Sequence, residues 1–193
     1  LPSNSVYDII QDKKGFIWVA HDEGLSRYDG FSFKNFECVE QTSKAGSCII
    51  EDTFGRIWYS NFDGFIYYVE NDTMKAMEMG VPLGFTRFGI SKNVLYLIEE
   101  KGVRFYDLTT LKAIGFYAKD FLHYTSANMV GNDFVIQDIG FHFFEDAKFK
   151  KYLKANEIVQ MFPGAVLFNN NNSFPILVNR EQIYDHFLWF SPA

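Results

Sequence analysis

The chain has 193 residues, 48% of them hydrophobic and 19% aromatic, with 22 Phe, 11 Tyr and 3 Trp. That content is enough for a packed core and, with 22% charged residues, excludes a disordered chain. A formal net charge of -6 gives no cationic field to hold a phosphate backbone, which excludes nucleic acid as a partner, and no run approaches the roughly twenty apolar residues of a membrane span.

The first unit predicts four short strands, at Val6 to Gln11, Phe16 to His21, Leu25 to Tyr28 and Phe31 to Phe36. Between the first two, Asp12-Lys13-Lys14-Gly15 puts Asp and Gly where a type I turn favours them. Gly24, between the second and third, suits a tight hairpin because it enters φ > 0 without steric cost.

The second unit repeats the pattern. Ile10, Asp12, Gly15, Ile17, Trp18, Gly24 and Tyr28 recur as Ile50, Asp52, Gly55, Ile57, Trp58, Gly64 and Tyr68. Between the two units lie Cys38 and Cys48, which predict either a disulfide or two thiols. The third unit keeps Asn93, Tyr96, Gly102 and Tyr106, and the fourth Gly131, Phe134, Gly140 and Phe144. In the fourth, the basic stretch from Lys148 to Lys154 reads as the solvated face of a strand. A faint fifth unit carries Asn171, Phe174, Arg180 and Tyr184.

A four-stranded sheet of this size cannot bury both faces alone, and radial stacking of such sheets does bury them. The fold class expected is therefore all-β: a β-propeller made of about five four-stranded antiparallel blades, at roughly 1–37, 38–77, 78–115, 116–153 and 154–193. Trp18, Trp58, Tyr96 and Phe134 are expected at one repeated position between blades.

The first two units closely resemble the two-component regulator propeller repeat. The matching elements are Leu1-Pro2, Val6, Asp12, Gly15, Ile17-Trp18, Gly24-Leu25 and Tyr28-Asp29-Gly30, then Asp52, Gly55, Ile57-Trp58 and Gly64. His21 and Asn61 stand where that family usually has Thr. The resemblance implies the extracytoplasmic, periplasmic sensor region of a membrane-anchored histidine kinase of the Bacteroides type. Propellers of that family are commonly seven-bladed, so five units would be the N-terminal part of a larger one or a ring of five. The start at Leu1 is expected of a processed or excised piece, with any anchor outside it.

Asp12, Asp22, Asp29, Asp52, Asp63, Asp107 and Asp138 are the candidates for converging acids of a propeller glycosidase or lyase. Most recur with the repeat, which assigns them to turns rather than to catalysis. His21, His123, His142 and His186 show no ligand spacing, and no nucleophile elbow or phosphate loop is present. No catalytic residue, metal or cofactor is expected, and the ligand-binding residues are left unassigned. Residues that break the repeat are the better binding candidates: Arg104 and His142, set against Ser26 and Ile66, with His21 and Asn61 at the mouth of the second turn and Phe62 as a ring for a sugar face.

The function expected, by resemblance, is a ligand-sensing propeller that detects an oligosaccharide or another small nutrient and biases a distant kinase. Its partners are that ligand, the remaining blades and the kinase, with self-association if blade faces are left open. A protein-binding scaffold propeller is the alternative, and a polysaccharide-active propeller enzyme a more distant one.

Overall fold

The computed structural model describes residues 3–80, 88–121, 126–137 and 140–154, together with the strands at 165–168 and 176–179. The described chain is all strand and turn. Blade one is β1 (Val6–Gln11), β2 (Ile17–His21), β3 (Gly24–Tyr28) and β4 (Phe33–Phe36). Blade two is β5 (Gly46–Glu51), β6 (Ile57–Asn61), β7 (Ile66–Glu70) and β8 (Thr73–Ala76). Blade three is β9 (Gly89–Ser91), β10 (Val94–Glu99), β11 (Gly102–Asp107) and β12 (Lys112–Ala118). Blade four is β13 (Ser126–Val130), β14 (Asp133–Gln137), β15 (Phe141–Glu145) and β16 (Lys148–Leu153). Each is an antiparallel sheet whose strands pair in chain order. Further on, β17 (Ala165–Phe168) and β18 (Ile176–Asn179) form an antiparallel pair, while Asn171, Phe174, Arg180 and Tyr184 lie outside the described residues.

The blades meet mainly through their first strands. β1 packs on β5, and β9 on β13, whereas the fourth strands barely touch. Sheets close at one edge and splayed at the other stand radially about an axis, which is the propeller arrangement. The core is accordingly a series of layers between blades. Trp18, Ala20, Leu25 and Phe36 of blade one pack on Ile57, Tyr59, Tyr67 and Val69 of blade two. Trp58, Ile66 and Tyr68 of blade two pack on Leu95, Leu97 and Tyr106 of blade three. Tyr96, Ile98 and Phe105 then pack on Phe134, Ile136 and Phe144 of blade four.

Two details correct the repeat as the sequence suggests it. In blade one His21 pairs with Gly24 across a two-residue turn. In blade two Phe62-Asp63-Gly64 makes the turn, with Gly64 at φ 88° and its N–H donating to Asn61 O at 3.0 Å. That extra residue moves β7 by one place, so Trp58 pairs with Tyr68 whereas Trp18 pairs with Arg27. Tyr28 and Tyr68 therefore occupy opposite faces, because a one-residue shift in a strand reverses its sides. In blade four the whole phase is reversed. Phe134 points back and stacks on Tyr96 at 5.3 Å, and Val135, Phe141 and Phe143 form a layer on the other face.

Polar latches reinforce the layers. The type I′ turn of blade two, with Asn71 at φ 49° and Asp72 at φ 61°, brings Asp72 back to Arg27 and to Lys34 Nζ at 3.0 Å in blade one. Arg56 of blade two donates through Nη2 to the Leu108 carbonyl in the outer hairpin of blade three, at 2.7 Å. Lys92 of blade three pairs with Asp146 in the outer hairpin of blade four, at 2.9 Å. Nearer the axis, Ile49 N donates to Asp8 Oδ2 at 2.8 Å.

Candidate functional site

The recurrent aspartates are turn clasps. Asp12 Oδ1 accepts from the N–H groups of Lys14 and Phe16, each at 2.9 Å, and its Oδ2 from the Trp18 indole at 2.8 Å. Asp52 repeats this with Phe54 N at 2.8 Å, Arg56 N at 3.0 Å and the Trp58 indole at 2.8 Å, and adds Arg56 Nε at 2.7 Å. One carboxylate thus closes the first turn and fixes the ring that fills the layer between blades. Asp29 and Asp107 close outer hairpins in the same spirit: Asp29 accepts Phe31 N and Ser32 N, each at 2.8 Å, and Asp107 accepts Thr110 N at 2.8 Å. These bonds hold both carboxyls below the usual carboxylate range. Asp22 and Asp63 lie exposed in the second turns of blades one and two. Asp138, His123 and His186 fall outside the described residues.

His21 and Ser26 form a hydrogen-bonded pair, at 2.6 Å, that resembles a nucleophile and its base. The proton assignment argues otherwise. His21 Nδ1 accepts from Glu23 N at 3.1 Å, so the proton sits on Nε2 and is donated to Ser26, whose own hydroxyl donates to Asn35 Oδ1 at 2.7 Å. The serine proton is therefore directed away from the imidazole, and both residues are fully buried. The pair caps the turn between β2 and β3, as Asn61 does in blade two by accepting from Phe65 N at 2.9 Å.

Burial holds the His21 imidazole below its ordinary pKa of 6.5, partly offset by Glu23 and Asp22. The unfolded chain takes up a proton near that value, and the folded chain does so only at lower pH. Stability is thus full above about pH 6.5 and declines as pH falls towards the folded pKa. His21→Asn, which places at this turn the residue that blade two uses, should flatten the decline in Tm between about pH 7 and about pH 5. Parallel profiles for parent and variant would assign the decline to other groups.

Among the repeat-breaking residues, Arg104 is bound to Glu99 Oε1 at 2.6 Å and lies over the Phe116 ring at 4.7 Å. Glu99 is buried and also accepts from the Tyr106 hydroxyl at 3.3 Å, and burial with this neighbouring charge pushes the phenol up to about 12. His142 is buried among Phe121 and Tyr152, with ring centroids 5.4 and 4.9 Å away. Cys38 and Cys48 are not bridged: Cys38 packs in the layer between blades one and two, and Cys48 in the layer between blades two and three. Among the described residues no three His, Cys, Asp or Glu side chains are grouped to hold a metal ion.

A cleft of about 340 Å³ opens between blades one and two on the side of the first turns. Phe16, Phe54, Arg27, Arg56, Lys14 and Asp72 line it. Arg27 lies over Phe16 at 4.5 Å and Arg56 over Phe54 at 4.9 Å, so each cation covers one face of its ring. Arg27 is held by Asp72, and Arg56 by Asp52 and Leu108. On the opposite side, among the second turns, Phe62 meets Tyr7 edge to face at 4.8 Å, and the Tyr7 hydroxyl donates to Asp22. Neither Tyr7 nor Asp72 stands out in the sequence, since the repeat shows no bulge at one and no partner for the other. A break in apolar alternation across Val6 to Ile10 is the one local trace of the first.

Residues 1–23 match the family model described as Two component regulator propeller. No curated protein matches the chain. Among solved structures, it is similar to the extracellular domain of a hybrid two component system from B. thetaiotaomicron (19% identity, TM-score 0.57), covering 79% of this chain and 25% of that one. It is also similar to virginiamycin B lyase from Staphylococcus aureus (13% identity, TM-score 0.58), covering 80% of this chain and 57% of the lyase. A third likeness is to the WD40 beta propeller domain of Doa1 (13% identity, TM-score 0.56), with 77% of this chain and 53% of that one covered. The chain thus spans a quarter to just over half the length of these proteins. At such identities the likeness shows the shared propeller fold and carries no chemistry from one to another.

Proposed function

We propose, from a first repeat that matches the two component regulator propeller model, that the chain is propeller blades from the extracytoplasmic sensor region of a two-component system. The observation that carries the reading is the Asp12–Trp18 clasp within the matched segment, rebuilt at Asp52–Trp58. A small ligand, an oligosaccharide or another nutrient, binds the blades and shifts an existing conformational equilibrium that biases a histidine kinase elsewhere in the protein. The cleft between blades one and two suits such coupling because its walls belong to two blades, so an occupant resists their separation. The reading assigns no catalysis to these blades. Most of the recurrent carboxylates close turns, and the Ser26–His21 pair is oriented against proton abstraction. Among the described residues no helix is long and apolar enough to cross a membrane, and the reading places the anchor in another part of the protein.

A thermal-shift screen of the chain against oligosaccharides and small nutrients tests the reading. A ligand that binds only the folded state at about a hundred times its Kd should stabilise it by about 2.7 kcal/mol, seen as a concentration-dependent rise in Tm. A flat screen on well-folded protein would count against small-ligand sensing by these blades and favour a scaffold that binds protein.

A further inference from the structure

Blades one and two each carry a β-bulge in their innermost strands, one repeat position apart, with opposite results. In β1 the register passes from Val6 opposite His21 to Asp8 opposite Ala20, leaving Tyr7 over. In β5 it passes from Ser47 opposite Ser60 to Ile49 opposite Tyr59, leaving Cys48 over. Cys48 adopts φ 62° and is buried, with its thiol 3.9 Å from the Phe88 carbonyl of blade three. Tyr7 is turned outward and is 46% exposed. A bulge gives up a ladder pair to re-aim one side chain, and here it presents an aromatic ring to water.

The ring is braced. Its hydroxyl donates to Asp22 Oδ1, and Asp22 Oδ2 accepts from Ser3 Oγ at 3.4 Å. Phe62 stands at 74° to it, and the turn carrying Phe62 is pinned by Phe62 N donating to Ala45 O at 2.9 Å. The second turns also carry Asp22, Glu23 and Asp63, none of which forms an ion pair within 4.0 Å among the described residues, although Asp63 accepts from Thr42 Oγ1 at 3.1 Å. Lys44, in the adjoining loop, is taken by Glu37 at 2.8 Å.

A ring face carries negative electrostatic potential, and a carboxylate beside it without a counter-ion adds to that potential. A neutral sugar would use the ring and leave the charge uncompensated. A bare metal ion would use carboxylates but gain little from the rings. A positive charge spread over an organic group uses both. We propose that Tyr7 and Phe62, with the carboxylates of Asp22 and Asp63, form a binding site for an organic ammonium cation. The site concerns binding alone and stands whether or not these blades serve a sensor.

The test is a calorimetric titration with choline and with its uncharged isostere, in which carbon replaces the quaternary nitrogen. Choline should bind about tenfold more tightly than the isostere at low salt, and less tightly as salt is raised. Tyr7→Leu and Asp22→Asn should each weaken choline about fivefold or more, and Tyr7→Phe, which keeps the ring, should weaken it less. Circular dichroism and Tm establish that each variant is folded, and Phe62→Leu replaces Tyr7→Leu if that variant is not. Equal affinity for choline and the isostere, or unchanged choline binding in a folded ring-deleted variant, would overturn the proposal. Displacement of choline by glucose at equal concentration would also overturn it, in favour of a sugar-stacking surface.

Discussion

Asp52→Ala should lower the free energy of unfolding by about 3–5 kcal/mol, seen as a fall in the urea midpoint at unchanged slope. Asp52 is buried and accepts two backbone N–H groups, the Trp58 indole and the Arg56 guanidinium. Arg56 is itself buried, so removing the carboxylate leaves a cation with no counter-charge, held by the Leu108 carbonyl and the neighbouring aromatic faces. Asp12→Ala provides the comparison. It removes the same clasp from blade one, but the residue at the Arg56 position there is Phe16, which carries no charge. Its expected cost is about 1–3 kcal/mol, that of leaving buried donors unsatisfied. Equal losses in the two variants would show that the buried ion pair of blade two contributes nothing beyond the shared hydrogen bonds.

Trp58→Ala should cost about 3–5 kcal/mol by a different route, the removal of a large ring from a closed layer. Trp58 has no exposed surface, stacks on Tyr68 at 4.9 Å, and packs with Leu95 and Leu97 of the next blade. Trp58→Phe keeps most of the packing and removes the indole N–H, and about 1–2 kcal/mol should be lost. Because the indole and Asp52 share a hydrogen bond, the double variant Asp52→Ala/Trp58→Ala should lose less than the two single losses added together. Strict additivity in a double-mutant cycle would refute the coupling. All of these values come from chemical denaturation of folded protein near room temperature, where two-state behaviour is first checked with two probes.

How far the sequence discloses this depends on what kind of contact is asked for. The turns and strands of blades one and two were legible because Asp, Gly and Trp at fixed offsets have local causes: a carboxylate reaches N–H groups two and four residues on, and glycine relieves a positive φ. Those interactions lie within one unit and repeat with it. Contacts between units were not legible. Arg27 looks like any strand arginine until Asp72 is brought to it from 45 residues away by the type I′ turn. The extra residue at Phe62-Asp63-Gly64 was hidden because Gly24 and Gly64 keep the forty-residue spacing while the strands after them do not. The reversed phase of blade four is of the same kind. Phe134 and Val135 are both apolar, and only the Tyr96 ring across the layer determines which of them faces it. Phe62, read from the sequence as a ring for a sugar face, stands edge to face with Tyr7, while Arg104 and His142, suggested on the same grounds, lie against Glu99 and aromatic neighbours.

The latches made by the outer hairpins have one direction: a cation in an earlier blade is met by an oxygen from the outer hairpin of the blade after it. On the ribosome this makes assembly a sequence of deferred completions. When blade one has emerged, Arg27 and Lys34 have no counter-charge until Asp72 follows, and Arg56 then waits for the Leu108 carbonyl. Each new blade finishes the one before it and presents an unfinished edge in turn, so translation order and docking order coincide. A circular permutation that began at blade two would keep every contact of the finished fold that blades two to four make with one another, but would deliver Asp72 before the residues it grips. The two chains could share a native state and still differ in how long an open edge is exposed while they are made.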